Sequence, residues 1–365
     1  EKAITVVTQC SLDRFPQLRA LAGSLSGHYL SVGVWFPCRL SAAKASAQIQ
    51  ALHQDVAQNT RCGLQLTVCV GTGSENDNNG GYPINHLRNV ALQRSNSDVV
   101  LLLDVDFRLN REFSEVIHKH YAELHETCMS QNAAFVLPSF ESEQGHAITD
   151  SLAVMKAGGH ANPFRMDIYK KGVFATDYSR WLKTAPGTHF QVAHQEGWEP
   201  YVMVARERVP LYDNRFVGYG YNKVQHILHL KHLGFSFHTL GGAFVIAEPH
   251  APSTARVVLY ESGNVDENKR RRAHLEDLYQ AFLSEMNNGN LDRRKPTQSK
   301  GLLHEAKLPT VKDFAVSMQA PICEPGMGRA DQVSAHSMAN SLSACDQACA
   351  AVNCHAFDFT EMNAA

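Results

Sequence analysis

Five consecutive apolar residues, Val99-Val100-Leu101-Leu102-Leu103, run straight into Asp104-Val105-Asp106. So short and unrelieved a run fits a buried strand of a largely parallel sheet with helices on both faces. The carboxylates then stand where that strand meets solvent. Residues two apart share a face of a strand, so Asp104 and Asp106 can reach one small site if the strand frays into a loop there. Hard oxygen ligands suit Mg²⁺ or Mn²⁺, which keep positions open for phosphate oxygens and neutralise charge on a leaving nucleotide diphosphate. Asp after a strand is also a common turn former or helix cap, so the surrounding chain must separate the two readings.

The first half alternates β-rich runs with amphipathic segments, the pattern of an α/β fold. Strands are expected at Ile4 to Val7, Leu30 to Trp35 and Leu64 to Val70, with helices from Ser11 to Leu25 and from Ser41, a capping residue, to Gln58. Gly71 to Gly81 reads as a loop, and Pro83 can open a helix through Asn85, Leu87, Arg88, Val90 and Leu92. This layout puts the Asp pair at the carboxyl end of a central strand, where open α/β sheets bind ligands. A helix from Arg111 to Cys128 and a strand from Ala133 to Pro138 follow. Asn162 to Pro252 is dense in aromatics, Gly and Pro, with helical spacing only from Asn222 to Leu233. Asn264 to Arg294 reads as a charged helix whose run Lys269-Arg270-Arg271-Arg272 is a solvated face or a phosphate-binding patch.

At 365 residues, 44% hydrophobic and 19% charged, the chain can bury a large core and is not disordered. Its 34 basic and 36 acidic residues leave a formal charge of −2, with no global field for nucleic acid or an acidic membrane. No stretch reaches the roughly 20 apolar residues of a membrane span. The start, Glu1-Lys2-Ala3-Ile4, carries neither an initiator Met nor a signal peptide, so targeting information and a membrane anchor are expected in a preceding segment. Nine cysteines divide unevenly: five are dispersed, and Cys323, Cys345, Cys349 and Cys354 crowd the tail, as a disulfide-stapled module or a zinc site. The expected organisation is a main domain over 1–300 (nucleotide half 1–140, acceptor half 141–260, helical extension 261–300), a linker over 301–321 and a small Cys-rich tail over 322–365.

The order of motifs from about residue 4 to 255 resembles glycosyltransferase family 49, the domain of β-1,4-glucuronyltransferase and the second catalytic domain of LARGE-type enzymes. The motifs are Thr8-Gln9 with Asp13-Arg14, Tyr82-Pro83-Ile84-Asn85-His86-Leu87-Arg88, Leu103-Asp104-Val105-Asp106-Phe107, Trp198-Glu199-Pro200-Tyr201, Pro210 through Phe216, Gly218-Tyr219-Gly220-Tyr221-Asn222-Lys223, and Pro249-His250-Ala251-Pro252. The resemblance implies a GT-A fold, a Rossmann-like mixed sheet flanked by helices with a merged acceptor half. It also implies Mn²⁺ (or Mg²⁺), a UDP-sugar donor such as UDP-glucuronic acid or UDP-xylose, inversion at the anomeric centre, and a glycan or glycoprotein acceptor. By position it makes Asp104, Asp106 and His250 the metal ligands, although a loop histidine is the plain alternative for His250. Gln9, Asn85, Arg88, Asp104, Val105, Gly218, Tyr219, Gly220, Asn222 and Lys223 become donor or substrate contacts. Arg88 has an alternative, compatible role as a salt bridge to an Asp of the strand end. The compartment implied is the Golgi or secretory lumen, for a type II membrane protein or a secreted one. The tail is similar to part of a PAN/apple module cut short.

Inverting transfer needs a base on the acceptor hydroxyl. The Gly218 to Lys223 stretch resembles the Gly-Trp-Gly-Gly-Glu-Asp segment of β-1,4-galactosyltransferases, whose acidic pair supplies acceptor contacts and base; here those two positions are Asn222 and Lys223. The base must come from elsewhere, with Asp213 and Glu199 the candidates and a structural ion pair the alternative for each. Trp198, Tyr219 and Tyr221 are either sugar-stacking or core aromatics. Two other readings stay open: another metal-dependent nucleotidyl or phosphosugar transferase, and an inactive glycan-binding relative.

Overall fold

The run before the Asp pair divides its side chains between two cores. Val99, Leu101 and Leu103 pack on one face of a sheet and Val100 and Leu102 on the other, all of them buried. Period-two division of an all-apolar run is what a central strand requires, and each such side chain contributes about 1.5–3 kcal/mol on burial. The computed structural model describes residues 2–36, 42–70, 82–142, 149–158, 161–248, 265–289 and 356–360, with the single positions 257 and 291.

The strand is β4 (Val99–Leu102) of a large mixed sheet. To one side lie, in order, β1 (Thr5–Ser11), β2 (Tyr29–Phe36) and β3 (Gly63–Val70), all parallel to it. To the other side β10 (Tyr201–Ala205) runs antiparallel and is followed by β6 (Ala133–Leu137), β11 (Ser236–Leu240) and β9 (His189–Val192). Helices α1 (Phe15–Gly23), α2 (Ala42–Asn59) and α4 (Phe113–Gln131) cover one face, while α3 (Ile84–Arg94) and α5 (Val224–His232) cover the other. A second sheet, in the order β5 (Phe107–Leu109), β12 (Val245–Ala247), β7 (Ser139–Ser142) and β8 (Ala161–Pro163), carries the chain away from the Asp pair. Helix α6 (Val265–Asn287) packs Tyr279, Phe282 and Met286 against Phe216 and Val224.

Two boundaries differ instructively from the sequence expectation. The first strand runs four residues past Val7, because parallel pairing with β2 persists to Ser11 opposite Trp35; Thr8 and Gln9 therefore lie on the strand and not after it. The helix expected from Ser11 begins only at Phe15, with Pro16 in its first turn, after a 3₁₀ turn over Leu12–Arg14. The Lys269 to Arg272 run is a solvated face in part, since Arg270 and Arg271 pair with Glu267 one turn back. Cys10, Cys62, Cys69 and Cys128 are buried, and burial pushes Cys62 and Cys128 up to about 12, which makes them inert. The capping Ser41, the Gly71 to Gly81 loop, the 301–321 linker and the tail cysteines lie outside the described residues. Of the tail, a strand β13 (Ala356–Thr360) pairs antiparallel with β3. Among the described residues no helix is long and apolar enough to cross a membrane.

The placement of α3 depends on Gly33 of β2. A Cβ there would stand 2.3 Å from the Leu87 carbonyl oxygen, so only glycine lets the helix backbone lie directly on the sheet. Gly33→Ala should destabilise the fold by about 1–3 kcal/mol through overpacking, read as a lower thermal midpoint, whereas Gly23→Ala, with nothing within 4 Å of its Cβ, should not.

Candidate functional site

Beyond β4 the chain keeps one more sheet hydrogen bond, Leu103 N–H to the Val7 carbonyl at 3.1 Å, and then turns, with Phe107 N–H bonding back to the Asp104 carbonyl at 3.2 Å. Asp104 is thereby presented at the sheet edge, where three segments meet it. Arg88 of α3 donates from Nη2 to Asp104 Oδ1 at 2.6 Å and from Nη1 to Asn222 Oδ1 at 3.0 Å and Asn85 Oδ1 at 3.1 Å. Lys223, just before α5, donates from Nζ to Asp104 Oδ2 at 3.1 Å. Tyr201, the first residue of β10, donates from Oη to the same oxygen at 3.0 Å and accepts from Lys223 Nζ at 3.2 Å. Glu199 lies on the far side of Lys223, its Oε2 3.8 Å from Nζ.

The two carboxyl groups flanking Lys223 are driven in opposite directions. Burial alone would raise Asp104, but the Lys223 and Arg88 cations outweigh it and hold the carboxyl well below the usual carboxylate range. For Glu199 burial wins: its carboxyl is raised, with Lys223 opposing the rise and Asp104 adding to it. Two carboxyls in one cleft with separated affinities for a proton can divide the roles of fixed anion and base. Tyr201 is pushed well above an ordinary phenol, chiefly by burial and then by Asp104, so it acts as a neutral donor.

Several expected donor contacts face inward. Asn85, Arg88 and Asn89, on one face of α3, are all buried. Asn85 Nδ2 donates to the Asp213 carbonyl at 2.8 Å, and Asn89 Nδ2 donates to the Tyr212 carbonyl at 2.9 Å while its Oδ1 accepts from Tyr212 N–H at 2.7 Å. These bonds fasten α3 to the 212–216 segment, and Arg88 makes the ion pair that was its alternative role. Val105 puts its side chain in the core, leaving its backbone to the site. Gln9 Oε1 is taken by the Tyr82 hydroxyl. Gly218, at φ 73°, donates from N–H to the Tyr82 carbonyl at 2.8 Å, and Gly220 is at φ 106°. Tyr219 Oη accepts from Arg165 Nη1 at 2.9 Å. Trp198 is a core residue: fully buried, its ring meets Phe237 edge-on and its Nε1 donates to Thr176 Oγ1 at 3.2 Å.

Asp213 makes the structural ion pair that was its alternative role. Only 3% exposed, it receives Arg215 Nε at 2.9 Å and Nη2 at 2.6 Å on Oδ2, and Arg215 in turn grips Glu285 of α6 at 2.7 Å through both Nη atoms. A buried carboxylate held by a bidentate guanidinium anchors structure. Glu199 is left as the candidate. Sequence reasoning missed three residues that the fold brings in. Tyr201 follows Glu199 by two positions, and Arg14, whose Nε is 3.9 Å from Asp106 Oδ1, follows Asp13, both in already conspicuous strings, whereas Arg165, beside Tyr219, carries no local signal for the role it acquires.

Among the described residues no three His, Cys, Asp or Glu side chains are grouped to hold a metal ion, and His250 lies outside them. The donor chemistry nonetheless fits a hard divalent cation held by few protein oxygens and completed by phosphate. Asp106 offers a partly exposed carboxylate, while both oxygens of Asp104 carry Arg88, Tyr201 and Lys223.

A family model described as glycosyl-transferase for dystroglycan matches residues 44–286. Similar curated proteins include the xylosyl- and glucuronyltransferase LARGE1 of Danio rerio, 31% identical over 78% of this chain and 35% of that protein. LARGE2 of Rattus norvegicus is 32% identical over 68% of this chain and 35% of its own length. The chain spans about a third of the length of the curated relatives it matches. A crystal structure of GalNAc-T7 with UDP, GalNAc and Mn²⁺ is similar at a TM-score of 0.39 and 10% identity, over 78% of this chain and 54% of that one.

The different standing of the two acids is measurable without any substrate. Asp213→Ala removes one of the two carboxylates on the buried Arg215 and should cost about 1.5–3 kcal/mol of stability, while Glu199→Gln should move the thermal midpoint by no more than a few degrees. An unchanged melt for Asp213→Ala would restore that residue as a base candidate.

Proposed function

This chain belongs to glycosyltransferase family 49, and we propose that it transfers a sugar, glucuronic acid, xylose or a related one, from a UDP-sugar to a hydroxyl of a glycan or glycoprotein acceptor, with inversion. The observation that carries this reading is the carboxylate pair bridged by Lys223 at the carboxyl end of β4, one acid held ionised and the other raised. In the transfer the acceptor oxygen bonds the anomeric carbon, the bond from that carbon to the diphosphate breaks, and the acceptor proton passes to Glu199. Lys223, within reach of both acids, meets the diphosphate or a carboxylate on the sugar. Arg88, Asn222 and Tyr201 keep Asp104 and Lys223 in position, so the charges the substrate meets are preorganised. Asp104, Asp106 and His250 would hold Mn²⁺ or Mg²⁺, which would supply neutralisation of the departing diphosphate. The Golgi or secretory lumen is the compartment we assign to this activity.

Ligand-dependent melting tests the site first, because a ligand that binds only the native state raises the midpoint. UDP should stabilise the protein with Mn²⁺ present and much less without it, and Asp106→Asn should remove that difference; stabilisation indifferent to both would overturn the metal assignment. Glu199→Gln should lower kcat by about 10²–10⁴-fold with UDP affinity retained, and an equal loss of both would make Glu199 a binding residue.

The pH profile has a defined sign. A base must be ionised, so activity should fall as pH drops through the raised value of Glu199. Lys223 opposes that rise, so Lys223→Met should shift the acid limb to higher pH. An unmoved limb would mean that Glu199 is not the group reported.

A further inference from the structure

Tyr221 has a left-handed backbone, φ 53°, between Gly220 at 106° and the two residues that meet Arg88 and Asp104, Asn222 and Lys223. A bulky side chain rarely adopts that region, and where one does, the surroundings must hold it there. Here α6 does the holding. The Tyr221 ring stacks on Tyr279 at 4.4 Å with the planes 14° apart, and its hydroxyl donates to Glu276 Oε2 at 2.5 Å. Further along the helix Phe282 packs on Phe216, and Glu285 takes Arg215. Positions 276, 279, 282 and 285 recur every three residues, a row that winds around the helix, and the row grips the 215–221 segment at both ends.

We infer that α6 is a clamp and that Tyr221 is a positioning residue: its side chain, held by Glu276 and Tyr279, fixes the left-handed turn that delivers Asn222 to Arg88 and Lys223 to Asp104 and Glu199. Glycine suits such a φ without help, so tyrosine at this position ties the turn to the helix instead of merely permitting it. No atom of Tyr221 is required at the reacting centre. The effect passes through Lys223, and the inference rests on the proposed transfer only for its kinetic readout.

The test is a double-mutant cycle. Tyr221→Gly keeps the backbone turn accessible while cutting the tie, and should lower kcat at least tenfold and weaken UDP in calorimetry. Tyr221→Phe, which retains the stack, should recover most of that loss. In the Lys223→Met background Tyr221→Gly should have no further effect on either quantity. Losses that multiply in the double variant, or full activity and UDP affinity in Tyr221→Gly, would overturn the positioning role. A melt measured alongside keeps general unfolding apart. If the wild-type protein turned over no UDP-sugar, the glycosyltransferase reading would fall, and the UDP-affinity cycle would still decide the role of Tyr221.

Discussion

One carboxylate, Asp104, organises the cleft. It sits at the end of a strand buried on both faces and is surrounded by Arg88, Lys223 and Tyr201. An ionised group at such a position is costly unless charges and donors meet it, and each of the three comes from a different element. The neighbouring features follow from this requirement: α3 must lie close enough to the sheet to deliver Arg88, β10 must begin with its tyrosine at the edge, and the turn before α5 must present Lys223.

The supporting layer behind these contacts is mostly polar and buried. Asn85 and Asn89 fasten α3 to the 212–216 segment through backbone groups, and Tyr212 lies beneath the Arg88 guanidinium while stacking on His226 at 3.7 Å. Burial lowers His226 to about 3, so it remains neutral, and its Nε2 is paired with the Pro210 carbonyl. Arg215 then links the segment to α6 through Asp213 on one side and Glu285 on the other. Buried hydrogen-bonded networks of this kind hold geometry closely, and geometry is what a pair of acids divided by one lysine needs.

The elements were legible because their signals are local. Apolar runs, a proline before α3 and amphipathic spacing in α5 located β2, β3, β4, β6 and most of the helices to within a few residues, whereas β10 and β11 of the same sheet lie in the aromatic-rich stretch for which no strand was expected. The expectation failed where tertiary pairing overrode composition, as at Thr8, Gln9 and Cys10, drawn into β1 by the register with β2. It failed again over side-chain direction. Asn85 and Trp198 belong to strings conspicuous enough to suggest ligand contacts, yet a string shows which residues occur together and not which way they face; both are fully buried.

What the sequence by itself determined was the α/β layout and the place of the Asp pair at the end of its central strand, since hydrophobic periodicity and turn chemistry act over a few residues. The tertiary structure alone decided which charges Asp104 meets, which of Asp213 and Glu199 is tied up by an arginine, and how the strained turn at Tyr221 is held. Those outcomes depend on partners far apart in the chain: Lys223 reaches Asp104 across 119 positions and Arg88 reaches Asn222 across 134. Electrostatic contacts of that reach exist only once the sheet and its helices have brought the segments together.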